Sequence, residues 1–87
     1  MGDKVLILFK ILPEEPEAIE GIEKQLHKIK TGKLEDIKKE PLAFGLSIIK
    51  AAITIPDKVD GLLEKLEQEI KNIPGVSQVD VERVTLI

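Results

Sequence analysis

Residues 45–56 read GLSIIKAAITIP, and the segment after them carries the clearest helical pattern of the chain. The first segment is apolar for most of its length and ends at Pro56, which is typical of a strand inside a sheet. The apolar residues that follow recur at spacings of three and four, as one face of a helix requires; they are Val59, Leu62, Leu63, Leu66, Ile70 and Ile73. Asp57 is the expected N-cap, with Asp60 in the capping-box position, and Asn72 with Pro74-Gly75 is expected to end the helix.

The segment C-terminal to this helix is predicted to be a last strand with a change of phase. Val76, Val79 and Val81 begin it, whereas Val84 and Leu86 fall on the other parity. Because side chains alternate between the two faces of a sheet, such a change requires an extra residue in the strand. We therefore predict a β-bulge near Glu82-Arg83.

The N-terminal half repeats the same order of elements. Residues 5–12 are apolar apart from Lys10, which predicts a strand covered on both sides or placed in the middle of a sheet. A proline- and glutamate-rich turn at 13–17 opens a helix, which Thr31-Gly32 is expected to stop; its apolar stripe is Ile19, Ile22, Leu26 and Ile29. Residues 33–39 are charged and sparsely apolar, as in an edge strand, and Glu40-Pro41 is expected to break them.

These six segments give the order βαββαβ within a single domain that covers residues 1–87. Right-handed crossovers interleave the two βαβ units into one four-stranded antiparallel sheet with both helices on one face. The predicted fold is therefore an α+β ferredoxin-like sandwich. Its first and third strands are central, which agrees with their being the most apolar of the four.

Composition excludes several classes of function. The chain has 87 residues, no Cys and a single His, so a thiolate metal site, a cysteine nucleophile and a histidine-based zinc site are not expected. A net charge of −3 and only two aromatic residues argue against a nucleic-acid-binding surface. No apolar run is long enough to cross a bilayer and no secretory signal is present, so we expect a cytoplasmic protein with no membrane contact.

The sequence offers no constellation for covalent chemistry. No set of Ser, His and Asp residues or phosphate-binding glycine loop can be assembled, so we expect no catalytic residue, metal or cofactor. The carboxylates of both helices are expected to be solvated. A modest basic patch is explained equally well by solvation of the edge strand or by partner docking; it consists of Lys28, Lys30, Lys33, Lys38 and Lys39.

Two features are unusual for a small α+β domain without a binding partner. The connection at residues 40–46 carries Leu42 and Phe44, although connections usually lie on the surface. These side chains either fold under the sheet or dock on another molecule. The tail at residues 84–87 is apolar at a chain end that would normally fray. It either completes the edge strand or is held by a partner.

The connection also carries a resemblance. The segment EPLAFGL at residues 40–46 is similar to the EPIAFGL segment of the archaeal elongation factor 1-beta family. The segment IPGVSQVDV at 73–81 is similar to the I-x-G-V-S-x-x-x-V segment that precedes the last strand in that family. The opening strand with its proline-acid turn is also of the family's type, so the resemblance extends over essentially the whole chain.

The resemblance implies a function and a partner. Members of this family are guanine-nucleotide exchange factors of elongation factor 1-alpha, the GTPase that delivers aminoacyl-tRNA to the ribosome, and they share the ferredoxin-like fold. Such a protein breaks no covalent bond and is not an enzyme in that sense. We expect this chain to act on that GTPase as a monomer, with no direct nucleic-acid contact.

One departure limits what the resemblance implies about the site. Eukaryotic relatives carry a basic residue just before the last residue, which is thought to reach the Mg²⁺ site of the GTPase, whereas this chain has Leu86 there. The last basic residue is Arg83. We therefore expect the tail to be a contact site, together with the connection; the candidate partner-binding residues are Pro41, Leu42, Phe44, Gly45, Arg83, Thr85, Leu86 and Ile87.

Three alternatives stay open at this stage. Small ferredoxin-like domains also serve as regulatory modules that dimerise through sheet edges and bind small metabolites. The chain could instead be a structural subunit whose apolar tail is an interface. An acylphosphatase-like enzyme is disfavoured because the turn after the first strand is acidic and would repel phosphate.

Overall fold

The computed structural model describes residues 4–42, 45–57 and 61–87. Its four strands are β1 (Lys4–Pro13), β2 (Lys33–Pro41), β3 (Ser47–Pro56) and β4 (Val76–Leu86). Its two helices are α1 (Ala18–Leu26) and α2 (Leu62–Lys71). The element order is therefore βαββαβ, as the sequence predicts.

All four strands form one antiparallel sheet in the order β2-β3-β1-β4. The two most apolar strands occupy the centre, and β1 pairs with β3 from Lys4↔Pro56 to Ile11↔Ile49. This arrangement confirms the ferredoxin-like sandwich. It also decides between the two explanations of the apolar β1 strand in favour of a central position.

The hydrophobic core lies between one face of the sheet and the two helices. Alternate residues of β1 and β3 reach it, because successive side chains of a strand point to opposite faces. Its fully buried large side chains are Ile7, Phe9, Ile11, Ile22, Leu26, Ile49, Ile53, Leu66 and Ile70. The opposite face of the sheet, which we call the open face, is covered by neither α1 nor α2, and Leu6, Leu8 and Leu12 are half-buried there.

The predicted bulge in β4 is present at the predicted place. Leu8 pairs with Arg83 and Phe9 pairs with Val81, so Glu82 is an extra residue without a partner on β1. This insertion returns Val84 and Leu86 to the helix side of the sheet, opposite Ile7 and Val5. β2 contains a comparable irregularity, since Leu34 pairs with Ile53 and Asp36 with Ala52, which leaves Glu35 unpaired.

The boundaries of α1 and β2 differ from prediction. α1 ends at Leu26 rather than at Thr31-Gly32, because the chain tightens there into three-residue hydrogen bonds such as Lys28 N–H to the Gln25 carbonyl at 2.9 Å. β2 continues through Glu40-Pro41, since Pro41 pairs with Ser47. A proline is tolerated there because β2 is an edge strand and does not need every N–H group.

The start of α2 also differs. The expected N-cap Asp57 does not fill that role, because the helix begins at Leu62 and Gly61 occupies the N-cap position. No side chain caps this end among the described residues. Asp60, the expected capping-box partner, lies outside the described residues, as does Val59.

Candidate functional site

Most of the predicted partner-binding residues that the structure describes lie at two opposite ends of the sheet. Antiparallel pairing puts Pro41 beside Ser47 at one end and Leu86 beside Val5 at the other. Val5 also pairs with Ile55, eight residues along β3 from Ser47. At about 3.3 Å per residue the two groups are therefore roughly 25 Å apart. We call them the hairpin end and the tail end.

The hairpin end is built by the short connection between β2 and β3. Leu42 donates its backbone N–H to the Leu46 carbonyl at 2.6 Å, which closes the connection. Leu42 is 46% exposed and Leu46 is also exposed, so neither side chain folds under the sheet. Gly45 has a φ of +75°. Phe44, the aromatic residue that the sequence singles out, lies outside the described residues.

The tail end presents apolar side chains on a fixed backbone. Ile87 donates its N–H to the Lys4 carbonyl at 2.9 Å and accepts the Lys4 N–H at 3.4 Å, so the last residue continues the pairing of β4 with β1. Leu86 is nevertheless 60% exposed and Ile87 is 52% exposed. The tail thus completes the edge strand, and its side chains remain available to another molecule.

Arg83 and Thr85 face away from those apolar residues. They pair with Leu8 and Leu6, which belong to the open face, whereas Val84 and Leu86 point to the helix side. Arg83 also lies four residues before Ile87 along β4, since Arg83 pairs with Leu8 and Ile87 with Lys4. The structure therefore does not bring the last basic residue of the chain to its C-terminal residue.

A cleft with basic walls lies beside the tail. It encloses about 320 Å³ and is lined by Lys4, Lys30 and Lys33 over an apolar floor that includes Ile55 and Pro56. None of these three lysines forms an ion pair with another residue of the described ranges. Lys30 and Lys33 belong to the basic patch seen in the sequence, whereas Lys4 joins them only because β1 begins at this end.

The cleft wall at Lys30 and Thr31 is held by a carboxylate of α2. Glu69 accepts the backbone N–H of Lys30 at 3.1 Å and that of Thr31 at 3.2 Å. Partial burial works to raise the pKa of Glu69, but hydrogen bonds from the Thr31 hydroxyl and from these two N–H groups outweigh it and lower the pKa. No pattern in the sequence indicates this contact, because Glu69 is one of several carboxylates on a helix face that is expected to be solvated.

Replacement of Glu69 by Ala is expected to destabilise the domain by about 1–2 kcal/mol near pH 7, because two backbone N–H groups lose a charged acceptor. A carboxyl group with a lowered folded pKa contributes stability above its unfolded pKa, and that contribution is lost as the pH falls through the folded pKa. The difference between wild type and variant should therefore shrink below about pH 4. Urea unfolding at several pH values measures it, and Glu64→Ala, an exposed carboxylate of the same helix, is the control and should show little loss at any pH.

An ionic cluster crosses the open face between the two ends. The Lys50 ammonium lies 3.3 Å from a Glu40 carboxylate oxygen and 3.2 Å from one of Glu82, and the lysine side chain is only 25% exposed. Hydrogen bonds to Glu82 and then to Glu40 raise the pKa of Lys50. Lys50 therefore links the end of β2 to the bulge of β4.

Two negative observations apply to the described part of the chain. Residues 4–42, 45–57 and 61–87 contain no group of three His, Cys, Asp or Glu side chains that could hold a metal ion. Within the same ranges, neither helix is long and apolar enough to cross a membrane.

Comparison with protein families identifies the type of domain. The family model of the EF-1 guanine nucleotide exchange domain matches residues 6–87, which include both the hairpin end and the tail end. The chain belongs to this family. The resemblance seen in residues 40–46 and 73–81 is thereby confirmed. The role of this family is guanine-nucleotide exchange for EF-1.

Full-length relatives agree with this assignment. The chain is 43% identical over 86 residues to elongation factor 1-beta of Staphylothermus marinus, with 93% of each chain covered. It is 37% identical over 87 residues to elongation factor 1-beta of Methanospirillum hungatei, with all of both chains covered. Both relatives are similar to this EF-1 exchange domain throughout, rather than at one motif.

Solved structures of other proteins share the fold of the exchange domain. The ACT domain from GTP pyrophosphokinase of Chlorobium tepidum superposes with a TM-score of 0.65 at 18% identity, covering 90% of this chain and 97% of its own. The C-terminal domain of the MgtC protein from Mycobacterium tuberculosis gives a TM-score of 0.58, also at 18% identity, covering 99% of this chain and 89% of its own. At this identity the likeness concerns the fold alone.

Proposed function

We propose that this chain promotes release of GDP from elongation factor 1-alpha and its replacement by GTP during protein synthesis. The observation that carries the proposal is the match to the exchange-domain family over residues 6–87. The same proposal makes the GTPase the direct partner, places the chain in the cytoplasm and has it act as a monomer. It requires no covalent chemistry of the chain itself.

The mechanism follows from thermodynamic linkage. An exchange factor must bind the nucleotide-free GTPase more tightly than the nucleotide-bound form, and it then weakens nucleotide binding by the same factor. Nucleotide binding by such GTPases depends on contacts of the P-loop and of Mg²⁺ with the phosphates. A rigid domain that disturbs those contacts is sufficient, and GTP refills the emptied site because it is in excess.

The geometry of the two ends adds a constraint to this proposal. The hairpin end and the tail end are roughly 25 Å apart on a single sheet, at about 3.3 Å per residue, so they contact different regions of the GTPase if both are used. The tail end combines exposed Leu86 and Ile87 with the basic cleft of Lys4, Lys30 and Lys33. Its partner surface should accordingly be apolar at the centre and acidic or phosphate-bearing beside it.

The test is release of a fluorescent GDP analogue from cognate elongation factor 1-alpha in the presence of excess unlabelled nucleotide. We expect the release rate to rise with the concentration of this chain and to saturate, because exchange proceeds through a complex. Bovine albumin at the same concentration is the control. Unchanged release from a GTPase shown to bind nucleotide would refute the proposal and favour a structural or ligand-binding module of the same fold.

A further inference from the structure

We propose that Lys50 is a positioning residue for exchange, which fixes the register of the C-terminal tail by holding the bulge residue Glu82 to Glu40 across the open face. This inference rests on the proposed function. It concerns a residue that lies in neither of the two predicted contact segments. Its basis is the position of the bulge and the reach of the Lys50 side chain.

The Lys50 side chain spans the width of β1 to reach β4. Lys50 lies on β3 opposite Lys10 of β1, and Lys10 lies opposite Asp80 of β4. Neighbouring strands are about 4.8 Å apart, so Lys50 is roughly 10 Å from the backbone of β4. Its side chain must therefore extend across β1 to meet Glu82 at 3.2 Å, while Glu40 approaches from the other side at 3.3 Å.

The bulge at Glu82 sets the register of the C-terminal part of β4. Glu82 has no partner on β1, so no backbone pairing holds this residue itself in the bulge. Loss of the bulge, in which Glu82 would pair with Leu8, would move every following residue of β4 by one position relative to β1. Because a one-residue slip exchanges the two faces of a strand, Leu86 would turn to the open face and Thr85 to the helix side.

The other edge strand supports this interpretation. In β2 the unpaired residue is Glu35, and the Thr54 hydroxyl of β3 donates a hydrogen bond to its carboxylate at 2.8 Å. Each edge strand thus has a bulge at an acidic residue that a polar side chain of β3 holds. A second register shift in β4, at Ser77, lies outside this pattern. Lys50 differs from Thr54 in that it also reaches Glu40, the residue before the Pro41-Leu42 connection.

The experiment compares Lys50→Met with Lys50→Arg and with Lys38→Met. Lys38 is the control because it pairs with Lys50 on the neighbouring strand and forms no ion pair with another residue of the described ranges. Two quantities are measured well below the thermal midpoint: the saturating rate of GDP release from elongation factor 1-alpha, and hydrogen exchange of the backbone amides of residues 83–87. Glu82→Gln serves as an independent second variant should Lys50→Met fold poorly.

We expect Lys50→Met to lower the saturating release rate at least threefold and to speed hydrogen exchange of the tail amides at least tenfold. Glu82→Gln should do the same, Lys50→Arg should restore both quantities, and Lys38→Met should change neither by more than twofold. A purely structural role would lower the thermal midpoint without a selective effect on the tail amides. If wild type accelerates GDP release and both Lys50→Met and Glu82→Gln do so equally well, the role of Lys50 is overturned and the proposed function stands. If wild type does not accelerate release, the proposed function is overturned, and the exchange role of Lys50 with it.

Discussion

Replacement of both Leu86 and Ile87 by Ala is expected to reduce GDP release from elongation factor 1-alpha at least tenfold at subsaturating concentrations of the exchange domain. The two side chains are 60% and 52% exposed, so they contribute little to the core and are free to contact a partner. Burying an aliphatic side chain at an interface contributes about 1.5–3 kcal/mol, and about 1.4 kcal/mol corresponds to a factor of ten in affinity. The measurement is the fluorescent-nucleotide release rate as a function of exchange-domain concentration.

Substitution is preferable to deletion here because the tail backbone is part of the sheet. Ile87 exchanges two backbone hydrogen bonds with Lys4, and removal of residues 84–87 would also take the β4 partners of Val5, Leu6 and Ile7. The Ala variant keeps the backbone, and its free energy of unfolding should stay within about 1 kcal/mol of wild type. Val81→Ala, an exposed apolar residue of β4 before the bulge, is the matched control; equal release rates for control and tail variant would show that the tail is not a contact site.

Gly75→Ala is expected to be the most destabilising of the substitutions considered, at about 2–4 kcal/mol. Gly75 has a φ of +94°, which costs an L-residue about 1–2 kcal/mol. A Cβ built on it would lie 2.7 Å from the Ala18 Cβ, and relieving such overpacking costs about 1–3 kcal/mol. A loss of this size should lower the midpoint of thermal unfolding by more than about 8 °C, which calorimetry or circular dichroism measures.

Two comparisons separate the causes of this effect. Gly61→Ala meets a similar φ of +81° but no atom within 4 Å, so it should cost only about 1–2 kcal/mol. The double variant Gly75→Ala, Ala18→Gly removes the steric contact. It should regain part of the stability that Gly75→Ala loses, once the intrinsic cost of a glycine in the helix at position 18 is subtracted. A Gly75→Ala midpoint equal to that of Gly61→Ala would contradict the steric part of the argument.

The role of Gly75 also explains why the I-x-G-V-S segment is informative. The Gly75 carbonyl accepts the Glu14 N–H at 2.7 Å, so this glycine joins the turn after β1 to the turn before β4. The residue is thus required by the close approach of α1 to that turn. This position of the motif therefore carries a packing constraint of the fold.

Local patterns were sufficient for the architecture. The period of the apolar residues separates strands from helices, and the most apolar strands are predicted to be central because a central strand is more completely covered than an edge strand. The change of parity between Val81 and Val84 was sufficient to place the bulge at Glu82, since alternation in a strand has a period of two. The boundaries were less well determined: α1 ends early at Leu26, and the segment after it is held by Glu69, which is distant in the chain and accepts the N–H groups of Lys30 and Thr31.

The sequence by itself determined the fold class, the central and edge strands, the bulge and the family, because each depends on periodicity or on residues close together in the chain. Only the tertiary structure decided where the candidate contacts lie: Leu42 and Leu86 at opposite ends, Lys4 beside Ile87, and Lys50 between Glu40 and Glu82. These relations join residues that are tens of positions apart in the chain. Strand order and register create them, and no local pattern in the sequence encodes which side chains a sheet will bring together.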